Sequence, residues 1–168
     1  MNAPAAVSAQ AWCTFRLAGG NYGVELARVQ EVLRPLPVTR LPLAPPAIAG
    51  LINLRGRIVP VVDLQVVLGR ESAPARSADA PASRAVGSSG GFVVVRSAEG
   101  PVALLVDAIG DVRRADQPPP PSLAAAPATG RAPGGPLIAR TLALPGELLV
   151  VLDLDRVLAR AFSEETHS

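Results

Sequence analysis

Lysine is absent from this 168-residue chain, whose 16 basic side chains are all arginines. A phosphate-binding loop of the Walker type and a Schiff-base mechanism both need a lysine amine, so neither chemistry is open to it. There is one cysteine, Cys13, so no disulfide closes within the chain, which suits a reducing compartment. The one histidine, His167, lies far from Cys13, so the two make no recognisable metal-ligating spacing. Aromatic residues make up 3% of the chain, too few for a base-stacking platform. A net charge of +2 is no footprint for a polyanion, despite a pI near 9.5. No apolar run approaches the roughly 18 residues that would suggest a membrane span. The opening MNAPAAVSAQAW has neither the basic nor the apolar region of a secretory signal. The expectation is a cytoplasmic protein without membrane insertion, metal, cofactor or nucleic-acid partner.

What is abundant is short aliphatic runs broken by Pro, Gly and Ala. Residues 1–11 have no periodicity and read as a flexible tail. Trp12–Leu17 and Tyr22–Glu25 flank Gly19-Gly20-Asn21 and predict a β-hairpin. Leu26, Val29, Val32 and Leu33 fall on one helical face ahead of Pro35 and Pro37, which predicts a short helix. Val38–Leu41 is strand-like, and Pro42, Pro45 and Pro46 make a connection. Gly50–Leu64 then reads as two apolar strands about a tip at Arg55-Gly56, with Asp63 capping a turn of helix and Ile58 in the core. Residues 71–90 are a linker too polar and too rich in Ala, Ser and Pro to order themselves. Phe92–Arg96 and Pro101–Val106 predict a second hairpin, and 118–135 is a Pro-rich excursion. Leu137–Leu144 and Glu147–Leu152 predict the last strands, followed by a helix from Asp153 toward Ala161 and a frayed end over 161–168.

The chain also repeats. At a shift of 90, Val61-Val62-Asp63-Leu64 lies over Val151-Leu152-Asp153-Leu154, Val67-Leu68 over Val157-Leu158, and Gly56 over Gly146. At a shift of 80, Val29, Glu31 and Val32 lie over Ile109, Asp111 and Val112. Each copy is too small to be comfortable alone. The expected fold is therefore mainly β: two small β-barrel subdomains around a shared aliphatic core, with short helices. The first is placed at about 12–70 and the second at about 91–160, with room for strand exchange between them. Turn and cap residues common to both copies (Gly56, Gly146, Asp63, Asp153) are explained by folding alone. The tips differ: Asn53, Arg55 and Arg57 stand where the other copy has Ala143, Pro145 and Glu147. An arginine on a rigid hairpin tip can form bidentate pairs with a partner's carboxylate.

No catalytic constellation emerges. Gly87-Ser-Ser-Gly-Gly91 satisfies G-x-S-x-G, but a linker precedes Ser89 and a strand follows, the reverse of a nucleophile elbow. Asp63 and Asp153 are accounted for as helix caps rather than an acid/base pair. No small-molecule substrate is expected.

Taken in order, Tyr22-Gly-Val-Glu25, Val29-Gln-Glu-Val32, Val38-Thr-Arg-Leu41 and Asn53-Leu-Arg-Gly56 followed by Ile58-Val-Pro-Val-Val-Asp-Leu64 form a pattern. Leu105–Val112 and Leu149-Val-Val-Leu-Asp-Leu154 extend it. This pattern resembles the CheW-like adaptor family of bacterial chemosensory systems, over about residues 13–160. The resemblance implies two five-stranded, SH3-like β-barrel subdomains and no enzymatic activity. It implies two partners, a chemoreceptor cytoplasmic tip and the regulatory domain of a CheA-type histidine kinase, at membrane-associated receptor arrays. Carried over by position, Arg55 would contact receptor and couple the signal, Val29 and Glu31 would lie in the receptor-facing region, and Gly50 and Asn53 would support the loop presenting Arg55. The kinase contact would lie on the first barrel. The 71–90 and 118–135 segments are longer than a minimal adaptor needs and read as loop insertions. The alternatives are an adaptor of a pilus or surface-sensing pathway and, from another class, a small-barrel nucleic-acid binder.

Overall fold

The computed structural model describes residues 10–69, 90–115, 137–144 and 146–163. The 71–89 part of the linker, with Ser89, and the 118–135 excursion lie outside these residues, as do 1–9 and 164–168. The first half of the chain supplies β1 (Gln10–Leu17), β2 (Gly20–Glu25), β3 (Val29–Leu33), β4 (Ile48–Leu54), β5 (Arg57–Asp63) and a one-turn helix α1 (Leu64–Val67). The second half supplies β6 (Gly91–Ser97), β7 (Gly100–Val106), β8 (Ala108–Ala115), β9 (Ile138–Leu144), β10 (Glu147–Leu152) and α2 (Leu154–Phe162). β1 thus opens inside the stretch read as a tail, and α2 runs one residue past Ala161.

Two five-stranded sheets result: sheet A in the order β8-β1-β2-β10-β9, and sheet B in the order β3-β6-β7-β5-β4. Adding five to each strand number, counted round ten, converts one order into the other. The mainly β fold with two five-stranded subdomains is as the sequence predicts, but the sheets do not divide at the 71–90 linker. The opening hairpin of each half has crossed over. β1 and β2 complete the sheet of β8–β10, while β6 and β7 complete that of β3–β5. Each exchanged hairpin joins its host through a parallel pair, β2 with β10 and β7 with β5.

The exchange follows from side-chain chemistry. In β6, Phe92 and Val94 face the interior of sheet B, with Ile52, Val59, Val61 and Ala103. Their neighbours Val93 and Val95 face the opposite way, into a core shared with Phe15, Leu17, Tyr22, Val62, Leu104, Leu152 and Val157. A strand apolar on both faces must be covered on both, and a single small sheet offers cover for one. Sheet A has a smaller interior of its own, Trp12, Leu142, Leu149 and Val151. Both helices close the shared core. Asp63 Oδ1 accepts from the Gln65 N–H at 3.0 Å and Asp153 Oδ1 from the Arg156 N–H at 3.2 Å, so both act as the expected N-caps. In α2, Leu154, Val157, Leu158 and Ala161 form the buried stripe.

Three local expectations are corrected. Leu26–Leu33 is a single 3-10 turn (Leu26–Arg28) followed by β3, because Val29–Leu33 finds a ladder partner in β6 of the other half. The same residues carry both periods, and the non-local partner decides; Val32 consequently faces outward, 40% exposed. Val38–Leu41 makes only one bridge, Thr39 with Leu51, since the flanking prolines cannot donate to a ladder. Ile58 is 63% exposed rather than core, because Val59 and Val61 on the same strand face in and strand alternation turns Ile58 out.

Each passage of the chain from one sheet to the other is pinned by polar bonds. Arg28, between β2 and β3, donates from Nε (3.2 Å) and Nη2 (2.9 Å) to the Arg96 carbonyl oxygen, and from Nη2 to Asp155 Oδ1 at 2.9 Å. Asp107, between β7 and β8, donates its N–H to the Arg16 carbonyl oxygen at 3.0 Å. Its carboxylate accepts from the Ala18 N–H at 2.8 Å and from Gln65 Nε2 at 2.9 and 3.0 Å. Arg16 and Arg96 are repeat equivalents, as are Gln65 and Asp155, so the two pins use the same anchor positions, although Arg28 lies over Ala108 and Asp107 over Ala27. Its hydrogen bond from Arg28 holds the Asp155 carboxyl below its ordinary range, and the Asp155 bond raises the Arg28 guanidinium.

Two expectations follow. Ile52→Ala, wholly inside sheet B, should cost about 2–4 kcal/mol. The shared core should make the fluorescence of Trp12, in sheet A, report the same shifted urea midpoint as far-UV circular dichroism; separate midpoints would contradict a common core. For the pin, the Asp155 contribution should be fully present above the usual aspartate pKa of about 3.9. It should be lost as pH falls through the lower native value. A carboxyl-resolved NMR titration should show that midpoint returning to the ordinary range in Arg28→Gln.

Candidate protein-binding site

The β4–β5 hairpin turns in two residues, Arg55 and Gly56, with Leu54 paired to Arg57. Both turn residues have positive φ, 53° and 82°, the geometry whose twist matches flanking strands. Glycine takes it freely, whereas a non-glycine residue held there stores on the order of 1 kcal/mol. Asn53 braces the turn, its Oδ1 accepting the Gly56 N–H at 3.0 Å. The turn thus fixes the backbone from which Arg55 projects, and its side chain is 77% exposed.

Arg55 is also steered from across the sheet. Its Nη2 lies 2.9 Å from Glu31 Oε2. Glu31 sits on β3, which is the far edge of sheet B from β4. The ion pair therefore bridges the seam between the first and last strands of the sheet. Glu31 is the recessed partner, its side chain only 18% exposed.

Gly50 acts farther down β4, at the bulge between Ile48 and Gly50. A Cβ there would collide with the Thr39 carbonyl oxygen and lie 2.7 Å from Val38 Cγ1. The absent side chain lets the 38–39 strap lie on β4, where Thr39 and Leu51 exchange backbone bonds of 2.8 and 2.7 Å. Val29 is placed differently: it is half-buried and packs against the shared core at the foot of β3. Of the five predicted residues, Arg55, Glu31 and Asn53 converge on the turn. Gly50 shapes the neighbouring strap, and Val29 faces inward. Sequence reasoning missed exposed Ile58, although alternation with Val59 and Val61 carried the signal.

In sheet A, Gly146 turns the β9–β10 hairpin at φ 77°. There the polarity is reversed: Arg113 on edge strand β8 meets Glu147 on the hairpin at 3.0 Å, and Asn21 Nδ2 donates to Glu147 at 3.2 Å. Two shallow clefts of about 220 and 210 Å³ lie elsewhere, the first beside Trp12 and Arg28 and the second beside Thr14 and Arg113. Neither includes Arg55. Among the described residues no His, Cys, Asp and Glu side chains gather in threes as a metal site. Cys13 is buried, and burial pushes its thiol pKa up. None of the helices among the described residues is long and apolar enough to cross a membrane.

These features define a paired β scaffold presenting a fixed arginine on one hairpin tip. Residues 11–162 match the CheW-like domain, and the chain belongs to that family. It is 31% identical over 146 residues to the chemotaxis protein CheW of Rhizobium meliloti, covering 85% of this chain and 83% of that one. It is 37% identical over 62 residues to protein PilI of Pseudomonas aeruginosa, a match covering 37% and 35% of the two chains. The crystal structure of scaffolding protein TtCheW from Thermoanaerobacter tengcongensis shares the fold, with a TM-score of 0.68, 23% identity and coverage of 92% and 90%.

Gly50→Ala should destabilise the protein by about 2 kcal/mol or more, since the strap or β4 must move. Hydrogen exchange is the specific check: the Leu51 amide, bonded to Thr39, should lose protection ahead of the β6 amides. Unchanged Leu51 protection would mean that the strap does not depend on Gly50.

Proposed function

We propose that this protein is a non-enzymatic adaptor that couples chemoreceptor cytoplasmic tips to a CheA-type histidine kinase. The observation that carries the reading is Arg55, held at positive φ on a braced turn and aimed by Glu31. Such a group is built to be recognised: exposed, mounted on two strands, and able to pair bidentately with a carboxylate. Family membership supports the partner classes, and the two-sheet body suits the mechanism. A receptor bound at the Arg55 face and a kinase bound elsewhere are coupled through a rigid shared core, so that each biases the affinity of the other. The protein then works in the cytoplasm and gathers at membrane-associated receptor arrays by binding, without inserting. Its pathway is flagellar chemotaxis or, in the second reading, a twitching-pilus or surface-sensing one.

The nucleic-acid alternative is disfavoured by the surface. Trp12, Phe15, Tyr22 and Phe92 are all buried, leaving Phe162 on α2 as the sole exposed aromatic ring, whereas single-strand binding needs a stacking platform.

The test is calorimetric titration against the kinase regulatory domain, with and without a receptor cytoplasmic fragment. Arg55→Glu should weaken receptor binding by about 2 kcal/mol or more, roughly 30-fold, as expected of a central charged anchor. Kinase affinity and the Trp12 emission of the folded state should be unchanged. An unfolded variant, or undiminished receptor affinity, would remove Arg55 from the role.

A further inference from the structure

Charge is unevenly placed along this chain. Between Leu26 and Val62 there are five arginines (Arg28, Arg34, Arg40, Arg55 and Arg57) against one acid, Glu31, which makes +4 in a chain whose total is +2. These residues build both edges of sheet B, its strap and its hairpin tip. Arg28 is matched by Asp155 in the pin between the sheets. Arg34, Arg40 and Arg57 are exposed. Arg34 follows directly on β3, three residues beyond Glu31, and Arg57 opens β5 two residues after Arg55. The Glu31–Arg55 ion pair joins those two places across the seam.

The repeat supplies an internal comparison. Glu31, Arg34, Arg55 and Arg57 correspond to Asp111, Arg114, Pro145 and Glu147, and Leu33 corresponds to Arg113. The same fold positions carry +2 in sheet B and zero in sheet A, so the scaffold does not require the excess. Two exposed apolar groups stand on the same strands, Val32 on β3 at 40% and Ile58 on β5 at 63%, both turned away from the interior of sheet B. Arginine beside exposed aliphatic side chains is the make-up of a protein interface. No exposed aromatic ring lies on sheet B to stack a base.

We propose that the seam of sheet B, with Arg34 and Arg57 flanking Arg55, is a docking face for a carboxylate-rich protein surface with an apolar centre. This rests on the adaptor reading and deepens it: the receptor tip is expected to offer glutamates or aspartates around an aliphatic contact. Arg55 anchors the complex, while Arg34 and Arg57 set the rate of encounter, since flanking charges act mainly by steering.

The experiment is stopped-flow association with two probes, a receptor cytoplasmic fragment and a designed helical hairpin bearing glutamates on one face. For the intact protein, association with both should slow about tenfold between 50 and 500 mM NaCl. Arg34→Gln/Arg57→Gln should lower the low-salt rate about three- to tenfold and flatten its salt dependence, with little change in dissociation. Arg114→Gln, the sheet A counterpart of Arg34→Gln, should change neither, and Trp12 emission checks that each variant is folded. Salt-independent association overturns the proposal, as does a double variant with the parental salt slope, an equal effect of Arg114→Gln, or tighter binding of a single-stranded oligonucleotide to the seam. If the glutamate hairpin binds with the expected dependence and the receptor fragment does not bind, the seam's chemistry stands and the receptor reading falls. If the fragment binds irrespective of Arg34 and Arg57, the adaptor reading stands and the seam falls.

Discussion

The constraint on which this structure depends is that β6 and β7 are apolar on both faces. Phe92, Val94, Ala103 and Leu105 fill the interior of one sheet, while Val93, Val95, Val102 and Leu104 fill the core between the sheets. Exposing either set would place a continuous aliphatic surface in water, at about 25 cal/mol for each Å². Crossing the hairpins over between the halves covers both sets at once. The shared core, the parallel strand pairs and the two pins at Arg28 and Asp107 all follow from that solution.

The binding face exists because the body beneath it is over-determined. A hairpin tip in solution samples many conformations, and its arginine must be ordered when a partner arrives. Here the backbone is fixed by the turn, the turn by Asn53, and the guanidinium by a glutamate from the opposite edge. The ordering entropy is met during folding, so it is not charged against binding. The strap over Gly50 extends the same logic to the neighbouring edge of β4.

Much of this was legible in the residues, and what was not has a physical reason. The tip at Arg55-Gly56, the caps at Asp63 and Asp153 and the hairpins rest on local chemistry, which a sequence carries in full. The repeat at shifts of 80 and 90 revealed the twofold design. Local chemistry could not show that Val29–Leu33 is a strand, because its ladder partner in β6 is some sixty residues away. Nor could it show which half hosts which hairpin, since both arrangements satisfy the same alternation. The outward turn of Ile58 was readable from its neighbours. The ion pair of Glu31 with Arg55 was not, since it needs the two edges of a sheet brought together.

Crossed hairpins also govern how the chain can come into being. Thr14 bonds to Asp111 across 97 positions, and Gln10 to Arg140 across 130. During synthesis the first hairpin emerges long before β8 or β10 exists to receive it, and sheet B likewise waits for β6 and β7. Neither sheet closes until most of the polypeptide has left the ribosome, and such long-range pairing folds slowly. In that interval two nascent molecules held close together can exchange their waiting hairpins, giving intertwined dimers of native-like sheets. The arrangement that makes the finished protein one rigid body thus leaves its unfinished form open to entanglement with its own kind.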